Sequence, residues 1–281
     1  MNCNNSPDNK LGNAMFRQED FATWTELETH VRELLLRNAA ASKQQSGHYS
    51  SVLFRGQASY GWLLDTTLER AQPQFSELSE YYRTIAAVKT QVETFTASRW
   101  DEIDYQAVAK HLQSYDALRF GRLPSYDYLV YLRHQGFPSP LLDWSRSLYV
   151  AAFFAVQAPK SERVAIFGYQ EHPGHVKFDS SDSSRIFAFG PYVRTHPRHF
   201  LQQGEYTLCC QFLEGTWHFK SHATVFDKSE DTQDRLWKFT LPASEAPVVL
   251  DQLEQYNINA YSLFQSEEAL MQTLARRLLS P

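Results

Sequence analysis

The chain has 281 residues, 43% hydrophobic, 14% aromatic and 21% charged, enough apolar material for a large core and unlike a disordered or fibrous protein. A formal charge of −5 excludes a dedicated basic nucleic-acid-binding domain, although Arg194, His196, Arg198 and His199 lie close enough to form a local basic face. Three cysteines, two of them the adjacent Cys209 and Cys210, make no disulfide framework, and no apolar stretch suits a signal sequence or a bilayer span, so the expected location is the cytoplasm.

Residues 1–20, polar at their start, are expected to be a flexible terminus. Thr23 and Glu26 form a capping box ahead of Trp24, Leu27, Val31, Leu34 and Leu35, the apolar face of a first helix. Residues 39–50 read as a loop and 51–54 as a short strand ending at Arg55-Gly56. A long helix over 77–95 turns Leu78, Tyr81, Tyr82, Ile85, Val88, Val92 and Phe95 inward. A further helix over 125–134 runs into Pro138 and Pro140, which force an extended turn. Ser145 reads as the cap of a helix over 148–154 that is apolar almost all round and therefore buried.

The second half changes character. Residues 164–169, 184–189, 206–212 and 236–241 read as strands, and 248–256 and 267–279 as closing helices. Helices early and strands later predict an α+β fold: one domain over 21–281, with a mixed or antiparallel sheet and an N-terminal helical part.

Two constellations carry chemistry. Arg55, at a strand end and followed by Gly56, can offer its planar fork to a phosphate or carboxylate, and the glycine lets a ligand or loop approach the backbone. The plainer reading pairs Arg55 with a buried carboxylate such as Asp143. In the second, His134 precedes the proline turn, and Asp143 and Ser145 flank Trp144. A helix mouth there would expose backbone N–H groups that suit an anion; the plainer reading is a cap beside a core tryptophan. Tyr60, Trp62 and Trp144 can stack on a flat ring, though aromatics are more often core. The pairs His172/His175, His196/His199 and His218/His222 have chelating spacing but no third ligand at a recognised spacing, so no metal is expected.

Taken together, Phe54-Arg55-Gly56-Gln57, the turn His134-x-Gly136-x-Pro138, Leu141-Leu142-Asp143-Trp144-Ser145 and Ala151-Ala152-Phe153-Phe154-Ala155 resemble the FRG domain family. The resemblance extends through 198–207 and through 258–264, which looks like that family's C-terminal strand, and so covers about residues 50–275. Ser139-Pro140 stand where many members have Thr-Arg, and Gln265-Ser266 where the usual pair is Pro-Asp.

The Phe-Arg-Gly strand is in turn similar to the first motif strand of Arg-Ser-Glu ADP-ribosyltransferases, in which the Arg holds a phosphate of NAD. This likeness implies an ADP-ribosyltransferase-like fold and NAD as a substrate. It also implies a protein or nucleic-acid acceptor and a toxin or defence role, with a neutralising antitoxin as a further partner. It places Arg55 on a phosphate, Gly56 and Gln57 at the entry, and His134 on the wall. Asp143 and Ser145 support the nicotinamide ribose, with Ser145 in the catalytic set, Trp144 belongs to the cofactor-binding set, and Glu205 or Gln202 faces the reacting carbon.

Gln203-Gly204-Glu205 matches a Gln-x-Glu pattern, and such a carboxylate can stabilise a developing cation and take the acceptor's proton. As a bare sequence feature Glu205 is a turn residue before a strand. Gln202 falls on the family's Gln, whose amide can donate and accept; a loop-fixing hydrogen bond is the equal alternative. Glu267 and Glu268 read as acids at a helix start. The rival to an enzyme is a non-catalytic nucleotide- or partner-binding module in which an Arg55–Asp143 pair is structural.

Overall fold

The computed structural model describes residues 17–44, 50–118, 123–171, 183–226 and 234–279. The first elements are strand β1 (Arg17–Asp20), helix α1 (Trp24–Gln44), β2 (Leu53–Gln57), α2 (Thr67–Ala71), α3 (Leu78–Thr96), α4 (Tyr105–Leu112) and α5 (Tyr126–His134). Next come β3 (Leu142–Ser145), α6 (Leu148–Val156), β4 (Arg163–Gln170), β5 (Arg185–Phe189) and the one-turn α7 (Arg198–Leu201). Then follow β6 (Gly204–Leu213), β7 (Thr216–Phe219), α8 (Ala223–Phe226), β8 (Arg235–Pro242), α9 (Ala246–Gln255), α10 (Ala260–Phe264) and α11 (Glu267–Leu279).

Among the described residues eight strands form one sheet in the order β1-β8-β4-β2-β3-β6-β5, with β7 also on β6. Every pairing is antiparallel except β1 with β8. The chain is thus a single α+β domain on a mostly antiparallel sheet, as its element order predicted. No helix among the described residues is long and apolar enough to cross a membrane.

Strand alternation assigns the faces. Phe54, Ile166 and Phe239 point to one side, where α1, α6 and α9 to α11 cover them in one apolar cluster. The pairing of Phe54 with Ser145, and of Asp143 with Tyr206, puts Tyr206, Leu208 and Phe189 on the same side. There a second cluster packs them under α3, α4 and α5. The opposite face holds Leu53, Trp144, Phe167, Tyr169 and Cys209 under Leu64 and Val225. Two helical groups therefore share one face of the sheet, and β2 and β3 meet between them.

Several elements depart from expectation. Arg17–Asp20, inside the stretch expected to be flexible, pairs with Trp237–Thr240; Asp20 accepts a hydrogen bond from the Thr240 hydroxyl. Helix α1 runs on to Gln44, past the start of the expected loop, because the alanines there are strong helix formers. β2 continues through Gln57, so Arg55 and Gly56 lie inside a strand. Phe95 is 92% exposed, since α3 outruns the core beneath Leu78, Tyr81, Tyr82 and Ile85. The expected strand at 258–264 is helix α10, started by a capping box of Asn259 and Ser262. His172 and His175 lie outside the described residues.

Candidate functional site

The seam between β2 and β3 does not close. Phe54 and Ser145 are partners, but Arg55, Gly56 and Gln57 pair only with β4, and Leu142, Asp143 and Trp144 only with β6. A cavity of about 690 Å³ fills the gap, lined by Arg55, Gln57, Trp62, Arg70, His134 and Asp143 among others. That volume lies within the ~300–1,000 Å³ of small-molecule sites.

Arg55 spans the gap. Its Nη1 donates to the Asp143 carbonyl oxygen at 2.8 Å and to Asp143 Oδ1 at 2.5 Å. It thereby satisfies a backbone acceptor that a closed ladder would have paired. The plainer sequence reading, an Arg55–Asp143 ion pair, is present. It is not the whole site, because Arg133 from the last turn of α5 also donates to Asp143 Oδ1, at 2.6 Å. Neither arginine's Nε has a partner among the described residues, although both atoms are buried. Asp143 Oδ2 has no protein partner among the described residues, and the side chain is 40% exposed to the cavity.

Charge in the cavity favours an anion. Arg55, Arg70 and Lys160 line it against Asp65 and Asp143, and Arg133, outside the lining, pairs with Asp143, within a chain whose net charge is −5. Burial, and then the nearby Arg55 and Arg133, pull the Arg70 guanidinium below its usual range. Burial alone would raise the Asp143 carboxyl, but Arg133 and Arg55 together override it and hold the group far below the usual carboxylate range. Asp143 is therefore ionised at every physiological pH.

The remaining expected residues divide. Gln57 is buried and donates through Nε2 to the Leu63 carbonyl, leaving Oε1 without a partner among the described residues. Gly56 lines the cavity, and its missing side chain serves packing. A Cβ there would lie 1.8 Å from the Ala151 carbonyl oxygen, so it is helix α6 that approaches. The half-exposed Trp62 lines the cavity. Trp144 also borders the cavity, with its ring packed onto Tyr169 and its indole N–H donating to the Thr207 hydroxyl.

The expected anion site at a helix mouth does not form, because Asp143 and Ser145 belong to a strand and the cap of α6 is Ser147. Ser145 Oγ donates to the Gln202 carbonyl at 2.7 Å and accepts from the Ser147 N–H, which commits it to holding the turn. The Gln202 amide donates to the Leu263 carbonyl, the loop-fixing alternative. Glu205 is not among the cavity residues. It alternates with Gly204 and Tyr206, which line the cavity, and Arg146 Nε donates to its carboxylate. Glu267 and Glu268 sit in the first turn of α11, as a helix start predicts.

Sequence reasoning missed Arg133, Arg70, Asp65 and Tyr206. Arg133 could have been found as a base in the helical turn just before the motif, yet a cation at a helix end needs no site to explain it. No group of three His, Cys, Asp or Glu side chains among the described residues converges as a metal site.

Behind the cavity, Trp144 donates to Thr207 Oγ1, which is 2.9 Å from His222 Nε2. Burial, then Arg55, pushes the His222 imidazole down to about 3 from its ordinary 6.5. The folded state thus resists a proton that the unfolded chain accepts. Stability is full above pH 6.5 and is lost as pH falls toward 3. At about 1.4 kcal/mol per pH unit the loss is of order a few kcal/mol. Urea unfolding at pH 7 and pH 4.5 measures it, and His222→Gln is expected to flatten that difference; an unchanged difference would refute the assignment.

Compared with known proteins, residues 50–163 match the family model of the FRG domain. The match takes in Arg55, Arg133, His134, Asp143 and Ser145 and stops before Gln202, Glu205 and Tyr206. No curated protein and no solved structure matches the chain.

Proposed function

The chain carries an FRG domain, and from that premise we propose that it is an ADP-ribosyltransferase-like enzyme with NAD as the substrate of the β2–β3 cavity. The observation that carries this reading is the unclosed seam, where cations outnumber carboxylates. There Arg55 and Gln57 line a cavity of about 690 Å³, and among the described residues Arg55 Nε and Gln57 Oε1 leave hydrogen-bonding capacity unused. Arg55 and Arg70 take the pyrophosphate, since guanidinium forks pair with phosphate oxygens bidentately. Trp62 offers a face for a base or the nicotinamide ring. Asp143, ionised and with Oδ2 open, is the carboxylate in position for the ribose. There it accepts a hydroxyl hydrogen bond and stabilises positive charge developing at C1′. Glu205 is withdrawn from that role. The acceptor is a protein or a nucleic acid, and the toxin role with its antitoxin partner belongs to the same proposal.

One observation favours the rival reading of a non-catalytic nucleotide-binding module: the carboxylate of the Gln-x-Glu pattern is off the cavity and bound by Arg146. Labelled NAD separates the two. With cell lysate supplying acceptors, the enzyme releases nicotinamide and leaves label on protein or nucleic acid, and Arg55→Ala loses both by at least ~10²-fold. NAD that binds and returns intact would establish the module.

A further inference from the structure

A chain of hydrogen bonds leaves the cavity wall and ends on a backbone carbonyl. His134 Nε2 is 2.6 Å from Tyr206 Oη, which is 3.1 Å from His199 Nδ1, and His199 Nε2 is 2.8 Å from the Pro191 carbonyl oxygen. The carbonyl can only accept, so His199 carries its proton on Nε2 and accepts at Nδ1. Tyr206 then donates to His199 and accepts from His134. His134 consequently carries its proton on Nε2 and a lone pair on Nδ1. That nitrogen has no hydrogen-bond partner among the described residues, and His134 lines the cavity. Gly204 makes the chain possible, since a Cβ there would lie 3.0 Å from both His199 Nδ1 and Tyr206 Oη.

We propose that His134 Nδ1 is the proton acceptor of the transfer reaction, with Tyr206 and His199 as positioning residues that fix its tautomer. The proposal deepens the NAD reading and rests on it. In the step, the acceptor's nucleophilic atom bonds to C1′ of the nicotinamide ribose and gives its proton to His134 Nδ1. The C1′–N bond breaks, and its electron pair returns to the ring nitrogen, so nicotinamide leaves uncharged. His134 then releases the proton to solvent.

The groups around His134 keep its ring unprotonated and so able to accept. Burial holds the imidazole down at about 4, against Asp143, which raises it; Arg133, His199 and His196 lower it further. His199 is itself lowered, by burial first, with the Pro191 carbonyl and Glu205 opposing. Both rings are neutral at physiological pH.

The test uses the full chain and three readouts. Nitrogen NMR of the imidazoles, without NAD, is expected to place the protons of His134 and His199 on Nε2; a proton on His134 Nδ1 overturns the proposal. His134→Gln keeps an N–H for Tyr206 and so keeps the fold. It is expected to bind NAD within about twofold of wild type and to lose nicotinamide release by ~10²–10³-fold. In wild type, release is expected to stay flat from pH 8 to pH 5, and Tyr206→Phe, which frees the tautomer, to lower it. Undiminished release by His134→Gln, or a wild-type rate that falls through pH 6.5, overturns the assignment. Wild type that fails to bind NAD overturns it together with the NAD reading, whereas binding with normal turnover by His134→Gln overturns this proposal alone.

Discussion

Gly56→Ala is expected to abolish the folded protein. The added Cβ would lie 1.8 Å from the Ala151 carbonyl oxygen and 2.6 Å from the Ala155 nitrogen. Both atoms are backbone of α6, so no rotamer change relieves the overlap, and the helix must lift from the sheet. Typical overpacking costs ~1–3 kcal/mol. Here the displaced element is the most apolar helix, packed on Phe54 and Ile166 at the centre of a cluster. A loss beyond ~5 kcal/mol would consume the stability of an ordinary domain. Soluble yield and a thermal melt read the effect. Gly61→Ala, with nothing nearer than 3.7 Å, is the control, expected within ~0.5 kcal/mol of wild type. A Gly56→Ala protein that melts with the wild type would show that the helix does not require this glycine.

Asp143→Ala is expected to have the next largest effect. It leaves Arg55 and Arg133, whose side chains are only 13% and 16% exposed, facing each other without a counter-charge. Removing one partner of a buried ion pair costs ~3–5 kcal/mol, mostly from the charge left behind. The carboxylate keeps 40% exposure, so solvent screening puts the loss near ~3 kcal/mol. Arg133→Met in the same chain is expected to recover part of it, because one surplus cation is gone, and urea unfolding of Asp143→Ala, Arg133→Met and the double variant gives the coupling. Loss below ~1 kcal/mol for Asp143→Ala, or strict additivity, would mean that the triad is not a unit.

Much of this architecture was legible in the chain, and the failures have physical causes. β4 and β8 announce themselves by β-branched and aromatic residues over eight positions, and α3, α5 and α6 by apolar spacing. β3 escaped because four residues, Leu142-Asp143-Trp144-Ser145, lie between a proline turn and a serine-capped helix, where a cap reads as well as a strand. β1 is a short, polar edge strand whose partner, β8, lies more than two hundred residues away.

At the site, Arg55 and Asp143 were both visible, and so was their pairing. Glu205 was misplaced by the alternation of a strand. A three-residue pattern fixes a position in the chain, but one step along β6 turns a side chain to the other face, so Tyr206 lines the cavity and Glu205 does not. Arg133 and the Tyr206–His199 chain depend on contacts across 7 to 72 positions, which no motif spacing reveals.

The central claim is that the open seam binds NAD through Arg55, and calorimetric titration of NAD into the folded protein tests it most directly. Wild type is expected to bind at a single saturable site. Arg55→Ala and Arg55→Lys, each confirmed as folded, are expected to bind at least ~10-fold more weakly, as the loss of charge-assisted hydrogen bonds worth ~1.5–3 kcal/mol requires. Wild type that takes up no NAD at millimolar concentration, or an Arg55→Ala variant that binds as tightly, would contradict it.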